Sequence, residues 1–414
     1  MNTQNREPNI RFNQFKELWK VVKLDSISKK VKSKNLNNTF ENVLTNSAEF
    51  GIIPQRDFFD KDIANLKSLN GYYVVQPNDF VYNPRISNKA PVGPIKANFL
   101  NTTGVMSPLY YVFRTQNVNV LFLAKYFDSS YWHKFMKLNG DTGARSDRFA
   151  IKDSVFKEMP IPFPSHSEQS AIGSLFRTLD DLLASYKDNL ANYQSLKATM
   201  LTKMFPKAGQ TVPEIRLDGF EGEWKFIKLG EAILEAYQGI NTASDKVEYS
   251  LSGIPILQAK HITNGQINYR DTRYLDMDIY EHYISKYMPK KGEILFANIG
   301  TIGPSVLVDS DKMFLIAWNI LKMSIKTNYS AVFIKITLSL LNSKHFFERI
   351  TTGNATKFIN KDEIMDIRIS VPPLEEQQAI GAYFSNLDNL ISSHQEKISQ
   401  LEILKKKLLQ DMFI

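Results

Sequence analysis

The chain carries one long motif twice, and a duplicated frame of this size restricts the fold to tandem modules. Glu168-Gln169-Ser170-Ala171-Ile172-Gly173, followed by Phe176, Leu179, Asp180 and Leu182, returns 208 positions later as Glu376-Gln377-Gln378-Ala379-Ile380-Gly381 with Phe384, Leu387, Asp388 and Leu390. The register holds without a gap to Met204-Phe205 and Met412-Phe413. Upstream, Pro8, Ile10, Arg11, Phe15, Trp19 and Leu24 are answered 205 positions later by Pro213, Ile215, Arg216, Phe220, Trp224 and Leu229. A period far longer than the roughly 20–50 residues of a solenoid repeat describes whole domains, each with its own closing helix. Between the two motifs the bodies share little, so a fixed frame holds different contents.

In the first closing segment apolar residues fall at Ile172, Phe176, Leu179, Leu183, Tyr186, Leu190, Tyr193, Met200 and Met204; in the second at Ile380, Phe384, Leu387, Ile391, Ile398, Leu401, Leu408 and Met412. Steps of three and four make a heptad seam in each, with Lys197, His394 and Lys405 as its polar interruptions. Pro164 and Pro372-Pro373 block helix ahead of each seam, and acids follow at the positive helix end. About 37 residues at about 1.5 Å each give helices of roughly 55 Å. Each stripe packs either on its own domain or on the other helix; two seams of matching register favour an antiparallel pair. The polar interruptions then either set register or meet another subunit.

The bodies read as mixed α+β. Gly71 to Asn83 reads as strand, turn, strand; Leu109 to Phe113 as a strand; Val120 to Leu138 as a helix. The second body runs Ile254 to Leu257, a turn at Asn264-Gly265, a strand over Gly292 to Phe296, a strand near Ile316 to Ile325 and a helix through Leu338 to Ile350. The expected boundaries are 1–158 and 207–368 for the bodies, 159–206 and 369–414 for the helical regions.

The formal charge of +8 favours a polyanionic partner. Without cysteine there are no disulfides, thiolate zinc sites or thiol nucleophiles, and the six histidines form no short ligand pair, so no metal site is expected. No apolar run reaches the roughly 18 residues of a bilayer span, and residues 1–12 lack an apolar signal core, which points to a cytoplasmic protein without a membrane partner. There is no P-loop, no Asn-Pro-Pro-aromatic methyltransferase signature, no Gly-x-Ser-x-Gly elbow and no carboxylate cluster of a metal nuclease. The chain reads as a binding protein rather than an enzyme.

After the last helix of each body comes a glycine-centred basic loop, residues 139–148 and 351–357. Arginine forks onto guanine, asparagine onto adenine, and arginine or lysine holds a phosphate. The candidate DNA contacts are Asn83, Arg85, Lys89, Arg145, Arg148 and Lys152 in the first module, and Lys260, Arg273, Asn298, Thr301, Asn354, Lys357 and Lys361 in the second. Gly300-Thr301-Ile302-Gly303 is a tight turn lacking two glycines of a dinucleotide fingerprint.

Pro-x-Ile-Arg-x3-Phe-x3-Trp opening each body, and Pro-x3-Glu-Gln-x-Ala-Ile-Gly-x2-Phe-x2-Leu-Asp opening each helix, resemble the specificity subunit of type I restriction-modification systems over residues 8–413. The resemblance implies two tandem α+β target recognition domains separated by two long antiparallel coiled-coil helices, related as a pseudo-twofold repeat. Each domain would read one half of a split target in double-stranded DNA. The partners it implies are two modification subunits, which use S-adenosylmethionine to methylate adenine, and restriction subunits, which use ATP and magnesium to translocate and cut; this chain itself would hold no cofactor and be non-catalytic. The rival reading is a stand-alone architectural DNA-binding protein, marked by steep salt dependence without sequence preference. Arg145→Ala is expected to weaken binding by about 1–3 kcal/mol at one half-site if Arg145 reads a base, and uniformly if it holds a phosphate; binding titrations across target variants separate the two.

Overall fold

Short alternating runs in each body become a four-stranded antiparallel sheet whose two faces are both covered, because successive side chains on a strand point to opposite sides. A computed structural model of the chain describes residues 7–58, 66–142, 147–263, 265–351 and 357–414. It divides into two units, residues 1–188 with 395–414, and residues 189–394.

In the first unit, β1 (Lys20–Lys23) leads into β2 (Ser28–Lys30), followed by β3 (Phe80–Tyr82), β4 (Ile95–Ala97), β5 (Tyr111–Thr115), the helix α1 (Val120–Asp128), β6 (Pro160–Phe163) and the long helix α2 (His166–Lys203). The sheet order is β2-β5-β3-β4. Phe80 and Tyr82 face α1 and the start of α2, whereas Val81 packs under the small strands Leu44–Ser47, Gly51–Pro54, Tyr73–Val75 and Gly104–Met106. In the second unit, β7 (Lys225–Lys228), β8 (Ile233–Gln238), β9 (Ile294–Ala297), β10 (Ser305–Leu307), β11 (Ile320–Ile325), α3 (Ala331–Ser343), β12 (Arg368–Val371) and α4 (Leu374–Asp411) repeat that order, with sheet order β8-β11-β9-β10. Ile294 and Phe296 face α3, and Leu295 faces the opposite layer.

The duplicated motifs form the same latch in both units. Arg11 pairs in a fork with buried Glu168 (2.7 and 2.9 Å), and Arg216 with buried Glu376 (2.8 and 2.7 Å). The next residue caps the body helix: Gln169 Oε1 accepts from the Asn119 backbone N–H while its amide donates to the Pro164 carbonyl, and Gln377 does the same with Ser330 and Pro372. Gly173 and Gly381 let the helices approach, since a Cβ at 173 would sit 2.9 Å from Leu121 Cβ. β1 zips to β6, and β7 to β12, closing each body ahead of its long helix.

The heptad positions of α2 and α4 are the ones turned inward. Ile172, Phe176, Leu179 and Leu183, like Ile380, Phe384 and Leu387, are buried, and Leu190, Ile391, Ile398 and Leu401 half-buried. Within the first unit α2 and α4 run antiparallel, with Lys405 on Asp180 and Lys187 on Glu402 (2.7 Å). Within the second, Lys197 pairs with Asp388 and Tyr193 meets His394 edge-on. Asp180 and Asp388, like Lys197 and Lys405, are repeat equivalents, so both lysine interruptions of the seam make one register-setting ion pair used twice.

Two helix readings need correction. Val120 to Leu138 is two helices, Val120–Asp128 and His133–Asn139, because Ser129 Oγ takes the Tyr126 carbonyl and Trp132 Nε1 the Phe127 carbonyl. The second body's helix likewise breaks after Ser343, where His345 takes a positive φ of 54°. The strand near Ile316 to Ile325 is split at residues 317–319, and of the expected turn at Asn264-Gly265, Asn264 lies outside the described residues. Among the described residues no helix is long and apolar enough to cross a membrane.

Each long helix ends by inserting Met-Phe into a core. Phe413 lies against Phe122 (5.6 Å), Tyr126 and Phe176; Phe205 lies against Trp224, Phe333 and Phe384. Phe413→Ala and Phe205→Ala are each expected to cost about 3–5 kcal/mol in denaturant unfolding, the range for a fully buried phenylalanine.

Candidate nucleic-acid interface

The loops expected to touch DNA are held by one backbone clasp, built identically in both units from dissimilar residues. In the first, Phe149 N–H donates to the Pro84 carbonyl (2.8 Å) and Ile86 N–H to the Asp147 carbonyl (3.0 Å), bridging Arg85 to Arg148. In the second, Ile359 N–H donates to the Asn298 carbonyl (3.0 Å) and Gly300 N–H to the Lys357 carbonyl (2.9 Å), bridging Ile299 to Phe358. The loop after the second strand of each sheet in chain order, β3 or β9, is thereby tied to the segment beyond the body's helices. Ahead of that strand, Asp79 and Glu293 fix equivalent turns by accepting from the Gln76 and Lys290 N–H groups, with Asn78 and Gly292 at positive φ. Buried Asp79 also takes a two-pronged bond from Arg114 (2.7 and 2.9 Å), and Glu293 takes the Ser324 hydroxyl.

In the first unit the clasp borders an open cleft of about 800 Å³ that Asn83, Arg85, Lys89 and Arg148 line together with Asn46, Glu49 and Leu109. Arg85 and Arg148 are exposed side by side; Lys89 is exposed and paired with Glu49 (2.6 Å). Asn83 is half-buried, its amide donating to the Asn46 carbonyl and its oxygen accepting from Arg85 N–H. Lys152, exposed, lines the adjoining hollow with Asn139 and Asp141. Arg145 lies outside the described residues.

A family model for the type I restriction modification DNA specificity domain matches residues 221–403. The MjaVIII type I restriction enzyme specificity subunit of Methanocaldococcus jannaschii is 22% identical, with 95% of this chain and 91% of that one aligned. The crystal structure of a type I restriction-modification S subunit from M. genitalium matches 99% of both chains with a TM-score of 0.60 at 15% identity. A chain from a structural study of complex assembly in a type I system matches 97% of this chain and 99% of that one, with a TM-score of 0.51 at 15% identity. Residues 221–403 thus match the type I DNA specificity domain, and the chain resembles type I specificity subunits over nearly its whole length. The α+β fold with paired long helices is that of solved S subunits, and a DNA target recognition role is consistent with these likenesses.

The second unit distributes its candidates differently. Lys260 projects from a turn in which His261 points inward, its Nδ1 accepting from the Gln258 N–H (2.8 Å). Burial, with Lys260 adjacent, holds His261 below the ordinary histidine range and so leaves Nδ1 free to accept. Arg273 is exposed over the Tyr249 ring (4.6 Å), Thr301 and Lys357 are exposed at the clasp, and Lys361 is exposed at the start of the helix Lys361–Met365, which Asn360 caps. Asn298 is a correction. It is 1% exposed, exchanges bonds with Gln238 (2.9 and 3.1 Å) and donates to the Ile359 carbonyl, so it holds the clasp and does not reach a base. Asn354 lies outside the described residues.

The structure also brings forward residues that sequence reasoning passed over. Leu109 and Trp318 stand exposed on matching loops ahead of β5 and β11, and exposed Phe358 occupies the place of Arg148. A signal for the matching geometry exists in Val92-Gly93-Pro94 and Ile302-Gly303-Pro304, 210 positions apart. In both, the proline carbonyl accepts from the residue at the end of β3 or β9, Asn83 or Ala297 (both 2.9 Å). Gly93 has φ +81°, and a Cβ there would lie 2.2 Å from the Asn83 carbonyl oxygen. Gly93→Ala is expected to cost about 1–3 kcal/mol and displace the clasp. Hydrogen exchange at Ile86 and Phe149 should accelerate while the second unit's clasp is unchanged.

Proposed function

We propose that the bodies at 1–158 and 207–368 each read one half of a split DNA target through the clasp loops, while the helical regions at 159–206 and 369–414 set the unread spacer and dock two modification subunits. The observation that carries this reading is a single backbone clasp presenting different side chains. Arg85 and Arg148 in the first unit stand where Ile299 and Phe358 stand in the second, and Leu109 lies on the loop that corresponds to the one bearing Trp318. A scaffold repeated with its contents exchanged recognises two different half-sites in one manner. Arginines at the first clasp suit guanine edges, and the apolar groups of the second suit thymine methyls or an opened base step. Lys89, Lys152, Lys260, Arg273, Lys357 and Lys361 suit phosphate contacts that fix register.

On this reading adenine methylation uses S-adenosylmethionine in the modification subunits, and ATP and magnesium serve the restriction subunits. The specificity subunit contributes no catalytic group and works in the cytoplasm.

Single-molecule methylome sequencing of cells with and without the gene tests the assignment. The expected result is loss of methyl-adenine at one split motif, two short blocks around a fixed spacer; an unchanged methylome in cells expressing the modification subunits contradicts it. Arg148→Ala is expected to relax one block and leave the other intact, with binding to the intact target weakened by about 1–3 kcal/mol. Equal loss on every sequence would make Arg148 a phosphate contact instead.

A further inference from the structure

The second unit holds a cavity where the first holds a closed ion network. In the first unit Asp128 at the end of α1 takes Lys96 (2.6 Å) and Lys125 (3.0 Å), and Asp180 takes Lys125 (2.7 Å) and Lys405. Burial alone would raise Asp128, yet Lys96 and Lys125 hold it below the ordinary carboxylate range. The carboxylate is therefore fully engaged.

Superposing α1 on α3 by their N-caps, Asn119 and Ser330, puts Ser339 where Asp128 stands. Strand register puts Val306 where Lys96 stands and Ser305 where Ile95 stands. The second unit thus has no carboxylate at that place, and two lysines, Lys197 in the place of Lys405 and Lys335 one residue ahead of the place of Lys125, lie beside one acid, Asp388. What remains is a cavity of about 340 Å³ lined by these groups with Ser305, Ser339 and Asn342.

Ser339 donates to the Lys335 carbonyl, but two other donors of the lining are unused. Asp388 is taken by Lys197. Among the described residues no hydrogen bond or ion pair reaches the Lys335 ammonium, and Ser305, 4% exposed, has a buried hydroxyl with no partner. Burial holds Lys335 below the ordinary lysine range; Asp388 opposes this and Lys197 adds to it. A buried hydroxyl left without an acceptor is costly, the half-buried ammonium beside it lacks a counter-charge of its own, and a bound anion answers both.

We propose that this cavity binds a phosphate-type oxyanion, free or carried on a nucleic-acid backbone, held by Lys335, Ser305 and the Asn342 amide in the place of the carboxylate that Asp128 supplies in the first unit. The charge balance fits: two lysines against Asp388 leave one positive charge for the anion.

The test follows thermal unfolding of the full chain in inorganic phosphate against chloride of matched ionic strength. At saturating phosphate the expected midpoint rises by about 2–4 °C in the native protein. Ser339→Asp restores the internal carboxylate; it is expected to raise the midpoint without phosphate and to abolish the response. Lys335→Met is expected to abolish the response without filling the site, which keeps the test decisive if the aspartate variant misfolds. A native shift no larger than in chloride, or an undiminished shift in Lys335→Met, overturns the proposal. DNA titrations of a phosphate-responsive protein then identify the source. A salt slope reduced by about one in Lys335→Met assigns a backbone phosphate, and an unchanged slope assigns the free anion. The phosphate response is read without DNA, so it stands or falls apart from the assignment of the clasp loops.

Discussion

Everything in each unit hangs on a buried fork between an arginine from the opening motif and a glutamate at the start of a long helix. Arg11 with Glu168, and Arg216 with Glu376, join the two ends of a body that is otherwise about 150 residues long. The carboxylates are 1% exposed, so losing either arginine would strand a charge in the interior, a penalty on the order of 3–5 kcal/mol. The adjacent glutamine caps the body helix, and the glycine four residues further on lets that helix approach. Sheet, helix and clasp are oriented from this one junction.

That dependence explains why the repeat is written where it is. The latch needs specific side chains, so its residues recur in register and were legible at once. So were the seams, whose polar slots Lys197 and Lys405 became matched ion pairs with Asp388 and Asp180. The clasp is made of backbone N–H and carbonyl groups, which any residue but proline can supply. Arg85 and Arg148 can therefore correspond to Ile299 and Phe358 with no trace in a comparison of the bodies. Only the Gly-Pro step betrays the shared geometry, because a Cβ at Gly93 has nowhere to go.

The misplaced expectations have the same origin. Asn298 carries base-reading chemistry in its amide, but a side chain's donors say nothing of where they point; here they are consumed by Gln238 and Ile359. The pattern from Val120 to Leu138 is helical throughout, and the break comes from Ser129 and Trp132 taking carbonyls that a continuing helix would have used. Local periodicity registers which faces are apolar; it does not register competition for a carbonyl.

The insertion of Met412 and Phe413 into the first core carries a consequence for biosynthesis. Residues 189–394 contain all of the second unit, whereas the first unit is not whole until residues 395–414 have been made. A chain emerging from the ribosome therefore presents its amino-terminal unit first but can complete it only second, reversing the usual vectorial order. Until then the surface around Phe122, Tyr126 and Phe176 waits uncovered, and it is in that interval, rather than in the finished protein, that chaperones have the most to protect.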